Sequence, residues 1–322
     1  MPRKKWTSVL VVALVVAVLP AACARGSASP IDGSSGGDRL RGTPCADTMR
    51  GFAGDDRLKA SGGDDRLEGM DGRDTLFGGG GRDEISGGPD SDHAYGGSSI
   101  DLIIGLGGGD QLYGQEGPDA LWGGEGDDDL YPGGGGGIAV GGPDEDELAG
   151  GGGRDRLDGE ADDDRIAGGP GDDRLEGGKG DDILDGGAGD DSLFGELGDD
   201  VMHGGDGKDF VDALDGTNGD EVDCGPGTED IVQADHGDEV IDCEIVRAPG
   251  RSGTSVSERP NRKAAQLGQR HSRGRRCLPL AARGRVPGLE RARTGRQDRQ
   301  RVQAPALSRR GLGSFRARHH TM

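Results

Sequence analysis

From residue 36 onward a single apolar residue recurs at every ninth position and the register never slips. The row runs Leu40, Met49, Leu58, Leu67, Leu76, Ile85, Ala94, Ile103, Leu112, Leu121, Leu130, Ala139, Leu148, Leu157, Ile166, Leu175, Leu184, Leu193, Met202 and Val211. Two residues before each stands an aspartate, from Asp38 to Asp209, in 19 of the 20 units, with Gly137 the one break. Two residues before that stands a glycine in 15 units, the exceptions being Cys45, Asp90, Ser99, Asp144 and Asp162. A period of nine is not helical, and glycine at this density argues against any helix interior. Segments such as Asp65-Arg66-Leu67-Glu68 alternate like a short strand with one side chain turned inward. The Gly-Gly-x-Gly stretches between them can take positive φ and reverse the chain tightly. Strand, turn, strand, turn makes a coil of two nonapeptides in which units n and n+2 stack in parallel. The pattern predicts an all-β fold, a parallel β-roll of about 20 nonapeptide units whose core is one side chain thick.

Composition narrows the choice. Glycine supplies 68 of 322 residues and only ten are aromatic, while Leu, Ile, Val and Phe together make up under a fifth of the chain. That excludes a pair of thick-cored globular domains but not a repeat protein. The net charge of −22 conceals a split: residues 31–246 hold 14 basic and 57 acidic residues, and Arg247 to the end holds 20 basic and three acidic ones. One Leu-sized side chain per nine residues is too little burial to offset the ordering of nine backbone residues, glycines above all. Stacked turns would also bring the aspartates to about the strand spacing of ~4.8 Å. Like charges that close repel strongly away from water, so a cation must sit between them. Ca²⁺ fits, because it takes six to eight oxygens and these turns offer carboxylates and glycine carbonyls.

Gly169-Pro170-Gly171-Asp172-Asp173-Arg174-Leu175-Glu176-Gly177 and Gly187-Ala188-Gly189-Asp190-Asp191-Ser192-Leu193-Phe194-Gly195 closely resemble the RTX, or haemolysin-type, calcium-binding nonapeptide Gly-Gly-x-Gly-x-Asp-x-Leu-x. The resemblance covers residues 36–213. It implies several calcium ions, each held between like turns of units n and n+2 by the aspartate of each turn and by turn carbonyls. Carried onto this chain, the ligands would be Asp56, Asp65, Asp74, Asp83, Asp110, Asp119, Asp128, Asp155, Asp164, Asp173, Asp182, Asp191, Asp200 and Asp209. Asp155 would share an ion with Asp173, Asp164 with Asp182, and Asp173 with Asp191. The chain departs from the family's pattern where Asp90, Ser99, Asp144 and Asp162 replace the turn glycine, which weakens the implied calcium sites there, and the stretch from Gly133 to Val140 is expected to carry an empty or distorted turn. Extracellular calcium modules commonly bind at Kd ~10⁻⁴–10⁻³ M, so such a chain would stay unfolded in the cytosol and fold after export.

The chain reads as five segments. Residues 1–24 form a secretory signal: Arg3, Lys4 and Lys5 precede an apolar run from Val9 to Leu19 that is too short to span a bilayer. Leu19 to Cys23 also looks like a degenerate lipoprotein box, which leaves lipid anchoring at Cys23 as the alternative to soluble extracellular export, and no later run could cross a membrane. Residues 25–35 are a linker, 36–213 the roll and 214–246 a cap in which Asp220-Glu221-Val222-Asp223-Cys224 and Asp238-Glu239-Val240-Ile241-Asp242-Cys243 are worn repeats. The ending is similar to that of secreted RTX chains of actinobacterial character. In an exported protein a Cys224–Cys243 bridge is expected, adding about 3 kcal/mol, the alternative being two reduced buried thiols. Residues 247–322 read as a basic disordered tail with one aromatic, Phe315. It could fold back onto the acidic roll, or it could be out-of-frame translation of GC-rich DNA. Charge without stacking partners does not make a nucleic-acid site, so none is expected.

No catalytic constellation accompanies the repeats. There is no His-Glu-x-x-His, and Gly33-Ser34-Ser35-Gly36-Gly37 matches Gly-x-Ser-x-Gly with no strand before it and no helix after. His93, His203 and His236 read as solvated surface, and the Arg before the apolar residue (Arg57, Arg66, Arg174) as a charge-balancing face. The family's usual type I export uses an uncleaved carboxy-terminal signal, from which the amino-terminal signal here departs. The reading is a secreted, non-catalytic calcium-binding roll. The alternatives are an adhesin or matrix spacer, or an accessory subunit of a secreted hydrolase, with the cell-surface or protein partner left open.

Overall fold

The computed structural model describes residues 29–248. The signal, the first residues of the linker and nearly all of the basic tail lie outside them. Every regular element among the described residues is a strand, and no helix there is long and apolar enough to cross a membrane. The strands form two parallel sheets. One has 13 strands, from Ile31–Asp32 to Ile245–Arg247; the other has 14, from Arg39–Arg41 to Glu239–Ile241, with Gly133–Gly134 and Gly151–Gly152 off its main ladder. The chain alternates between the sheets, so each strand pairs with the one two nonapeptides further along. Met49 faces Leu67, Leu67 faces Ile85 and Ile85 faces Ile103 in the first sheet. Leu58, Leu76, Ala94 and Leu112 do the same in the second.

The ninefold apolar row becomes the core because only its side chains point between the sheets. From Met49 to Val211 every member of the row is buried, and Leu40 at the open end is half-buried against them. A fourth row, two residues after the apolar one, is glycine in 17 of 20 units; Ala60, Pro132 and Ala213 are the exceptions. These glycines are required by close approach. A Cβ on Gly69 would collide with Asp74 Oδ2 and the Gly87 carbonyl, and one on Gly78 with Asp83 Oδ2 and the Gly96 carbonyl. The turn glycines are required by backbone conformation, as at Gly72 (φ +111°) and Gly189 (φ +137°). Where that glycine is replaced, Ser99, Asp144 and Asp162 still adopt φ of 94°, 82° and 77°. Three of the replacements give something back: Gly72 donates its N–H to Asp90 Oδ2 at 2.8 Å, Gly126 to Asp144 Oδ2 at 3.1 Å and Asp144 to Asp162 Oδ2 at 3.3 Å. The roll therefore runs unbroken through these turns.

Beyond Val211 the spacing becomes irregular but the stacking does not stop. Val222 and Val232 are buried in line with the row, and Val240 and Val246 lie partly buried against its end. Glu221–Asp223 and Glu239–Ile241 continue one sheet, Ile231–Ala234 and Ile245–Arg247 the other. Cys224 and Cys243 form the expected disulfide with Cα atoms 5.1 Å apart, closing the last coil over the core.

Candidate metal centre

The repeat places each aspartate at the end of a turn, where the strand begins and the side chain is drawn inside. All 14 aspartates singled out from the sequence are buried, at 3% exposure or less. They form two ladders, one along each edge of the roll. On the first edge Asp38, Asp56, Asp74, Asp92, Asp110, Asp128, Asp146, Asp164, Asp182, Asp200 and Asp220 follow one another without a gap. Each backbone N–H donates to Oδ1 of the next carboxylate at 2.6–2.9 Å. The second edge runs Asp47, Asp65, Asp83, Asp101 and Asp119. It is interrupted at Gly137, which has no carboxylate to accept the N–H of Asp119, and resumes as Gly137 donates to Asp155 and the series runs through Asp173, Asp191, Asp209 and Asp230 to Glu244.

One oxygen of each carboxylate is thus satisfied. The other is not: in all 14 but Asp200, Oδ2 is buried and accepts no hydrogen bond. A buried, unpaired carboxylate oxygen is among the costliest groups a fold can carry. No ion pair among the described residues reaches these ladders; the basic side chains pair with outward acids, as Arg66 with Glu84 at 2.7 Å and Arg154 with Asp172 at 2.9 Å. Burial therefore pushes the row upward, with neighbouring carboxylates adding to it and the N–H donor only partly opposing it. Asp65 and Asp92 rise to about 7, Asp110 and Asp182 to about 8.

This donor set suits a hard cation. Most turns present an unpaired carboxylate oxygen and carbonyls freed of side-chain bulk by glycine, and turn bases such as Arg73 and Arg154 pair with exposed acids instead. Among the described residues no three carboxylate, imidazole or thiol groups converge, so an ion here would draw much of its shell from backbone carbonyls. A carbonyl-rich oxygen shell favours Ca²⁺ over softer metals.

The sequence reading passed over several equivalent positions. Asp92, Asp101 and Asp146 follow the replaced turn glycines, yet they are as buried as the rest and their Oδ2 atoms are as unpaired. Asp47 is also drawn in, and Asp220 and Asp230 extend the ladders into the cap. The signal for the last two was present, since each stands two residues before a valine, Val222 and Val232, as in the regular units. His93 and His203 sit at outward positions of strands, as expected of surface residues. Strand Ile31–Asp32 does precede the Gly-x-Ser-x-Gly match, unlike the expectation from sequence, but no helix follows among the described residues; the motif serine, Ser35, is exposed, and its neighbour Ser34 donates to Asp38 Oδ2 at 2.8 Å.

Fold and site together define a parallel β-solenoid whose turns are lined by buried, unpaired carboxylate oxygens. The chain belongs to the RTX calcium-binding nonapeptide repeat family, whose model (four copies of the repeat) matches in nine overlapping segments that together span residues 32–220. Repeats of this family bind Ca²⁺. No curated protein matches this chain.

Proposed function

We propose that this is an exported protein whose roll takes up several Ca²⁺ ions outside the cell, that uptake and folding are one event, and that its task is binding rather than catalysis. The double row of buried Oδ2 atoms without partners carries this reading, because such a row is tolerable only when something positive lies against it. In this reading Asp56, Asp65, Asp74, Asp83, Asp110, Asp119, Asp128, Asp155, Asp164, Asp173, Asp182, Asp191, Asp200 and Asp209 are ligands, each serving the like turns stacked on either side of its own. Asp92, Asp101, Asp146 and Asp230 join them on the same ground. A site with free calcium at ten times its Kd adds about 1.4 kcal/mol to the folded state, and ten sites about 14 kcal/mol. That exceeds the whole stability of a typical domain, so calcium decides whether the roll exists. The amino-terminal apolar run and the bridged cysteines fit export to an oxidising, calcium-rich compartment.

A calcium titration followed by far-UV circular dichroism tests this. A cooperative coil-to-β transition is expected near ~0.1–1 mM Ca²⁺, as for extracellular modules, and absent with Mg²⁺. A flat response would show the ladders to be without metal. A pair of variants sharpens the assignment. Asp173→Asn weakens a buried carboxylate that serves two neighbouring turns, and should raise the calcium midpoint several-fold. Asp172→Asn alters an exposed neighbour paired with Arg154, and should leave the midpoint within about twofold. Equal shifts from both would place the ligands elsewhere.

A further inference from the structure

The outer face of the 13-stranded sheet changes character in its middle. Each strand turns two residues outward, one on each side of its core residue. Over three successive strands, Leu102–Gly107, Ala120–Glu125 and Ile138–Pro143, all six are apolar: Leu102 and Ile104, Ala120 and Trp122, Ile138 and Val140. They stand in register as two parallel rows of three. Trp122 and Ile138 are 39% and 43% exposed, and the other four are half-buried. Such a contiguous apolar patch marks an interaction surface.

The strands on either side say what covers it. Three of them carry a base first and an acid second, Arg66 and Glu68, Arg156 and Asp158, and Arg174 and Glu176, while the strand between the first of these and the patch turns out Glu84 and Ser86. We infer that this face is a homodimer interface, built by a second copy of this chain across a two-fold axis parallel to the stacking direction. That operation reverses each strand and keeps the strand order, so every strand faces its own copy antiparallel and the first outward residue meets the second. Arg66 then meets the partner copy's acid at 68, and Arg156 and Arg174 meet the acids at 158 and 176. In the patch Leu102 meets the isoleucine at 104, Ile138 the valine at 140, and the small Ala120 accepts the indole at 122. The other face-to-face two-fold, along the strands, sets Arg66 against the arginine at 174 and Glu68 against the acid at 176, which charge repulsion disfavours. Thirteen strands at ~4.8 Å give a face roughly 60 Å long, enough length to supply the ~800 Å² per partner that a stable dimer buries.

The test is sedimentation equilibrium of the full chain in calcium from about 1 to 100 µM, in a Trp6→Phe background that leaves Trp122 the single tryptophan reporter. Expected are a dimer and a blue shift of the Trp122 emission as concentration rises. Trp122→Glu should weaken association at least tenfold while the circular dichroism spectrum in calcium is retained. Arg156→Asp should weaken it as well, and the reversed pair Arg156→Asp with Asp158→Arg should restore it, since the swap preserves the match across the axis. A folded wild-type chain that stays monomeric at the top of this range overturns the inference. So does a dimer that Trp122→Glu leaves intact, because the contact would then lie on another face.

Discussion

In the presence of a chelator, the β structure the chain retains should be greatest near pH 4 and should be lost as the pH is raised to 8. The direction follows from the buried aspartates. In the unfolded chain they titrate near 3.8, whereas in the roll Asp65 and Asp92 hold their protons to about 7 and Asp110 and Asp182 to about 8. Below 3.8 both states are protonated and the row costs nothing. Between about 4 and 8 the unfolded chain has lost protons that the folded chain must keep, so stability falls with each step in pH, and above 8 the penalty is complete. At pH 4 the buried aspartates are protonated and about half of the exposed ones are as well, which shrinks the acidic excess of residues 31–246 over its 14 basic residues. Calcium should abolish the dependence at neutral pH, because it compensates the charge that protons compensate in acid. Far-UV circular dichroism across the pH range, with and without calcium, reads both curves. A chelated chain whose β content is no greater at pH 4 than at pH 8 would mean that the buried carboxylates do not set the pH dependence of folding.

The second large effect comes from the turn glycines. Gly189→Ala places a Cβ within the van der Waals radius of the Gly171 carbonyl oxygen, at a φ of +137° that L side chains rarely adopt. Neither side can give way, since the same close approach recurs in the next stacked turn between Gly207 and the Gly189 carbonyl. The substitution should destabilise the roll by more than about 3 kcal/mol and raise its calcium midpoint well beyond the range of a surface mutation. Gly152→Ala is the control: its Cβ meets nothing within 4 Å, so the change should be neutral or stabilise by up to ~1 kcal/mol through the unfolded chain. Thermal melts in saturating calcium separate the two. Equal melting temperatures would contradict the stacking of glycine on carbonyl.

Much of this is legible in the sequence because the repeat states its geometry directly. Leu67, Ile85 and Ile103 each stand two nonapeptides apart and pair across one sheet, so an unbroken ninefold row reads as a strand register. The aspartate row gives the positions of the buried carboxylates for the same reason. Three features are harder to see. The glycine two residues after the apolar position reads as turn flexibility, whereas its work is steric: Gly69 is bare because Asp74 Oδ2 and a neighbouring carbonyl leave no room. Asp92 and Asp101 lack the turn glycine that marks a ligand in the repeat, but Ser99 reaches the left-handed region within a stack that holds it on both sides. The apolar patch around Trp122 escapes notice because its members occupy variable positions of the nonapeptide. They become neighbours only when every second unit is laid beside the last, which is information the fold supplies.

The missing aspartate at Gly137 bears on how the molecule comes apart. In a solenoid each coil senses only the coils beside it, so cooperativity is carried along one dimension and is as strong as its weakest junction. One edge of this roll is a continuous cable of carboxylates from Asp38 to Asp220, while the other is spliced between Asp119 and Asp155. The roll is therefore two blocks sharing one intact cable. Under pull from its ends, or as calcium is withdrawn, the first crack should open at this splice, leaving an amino-terminal block and a disulfide-closed carboxy-terminal block that yield at different loads.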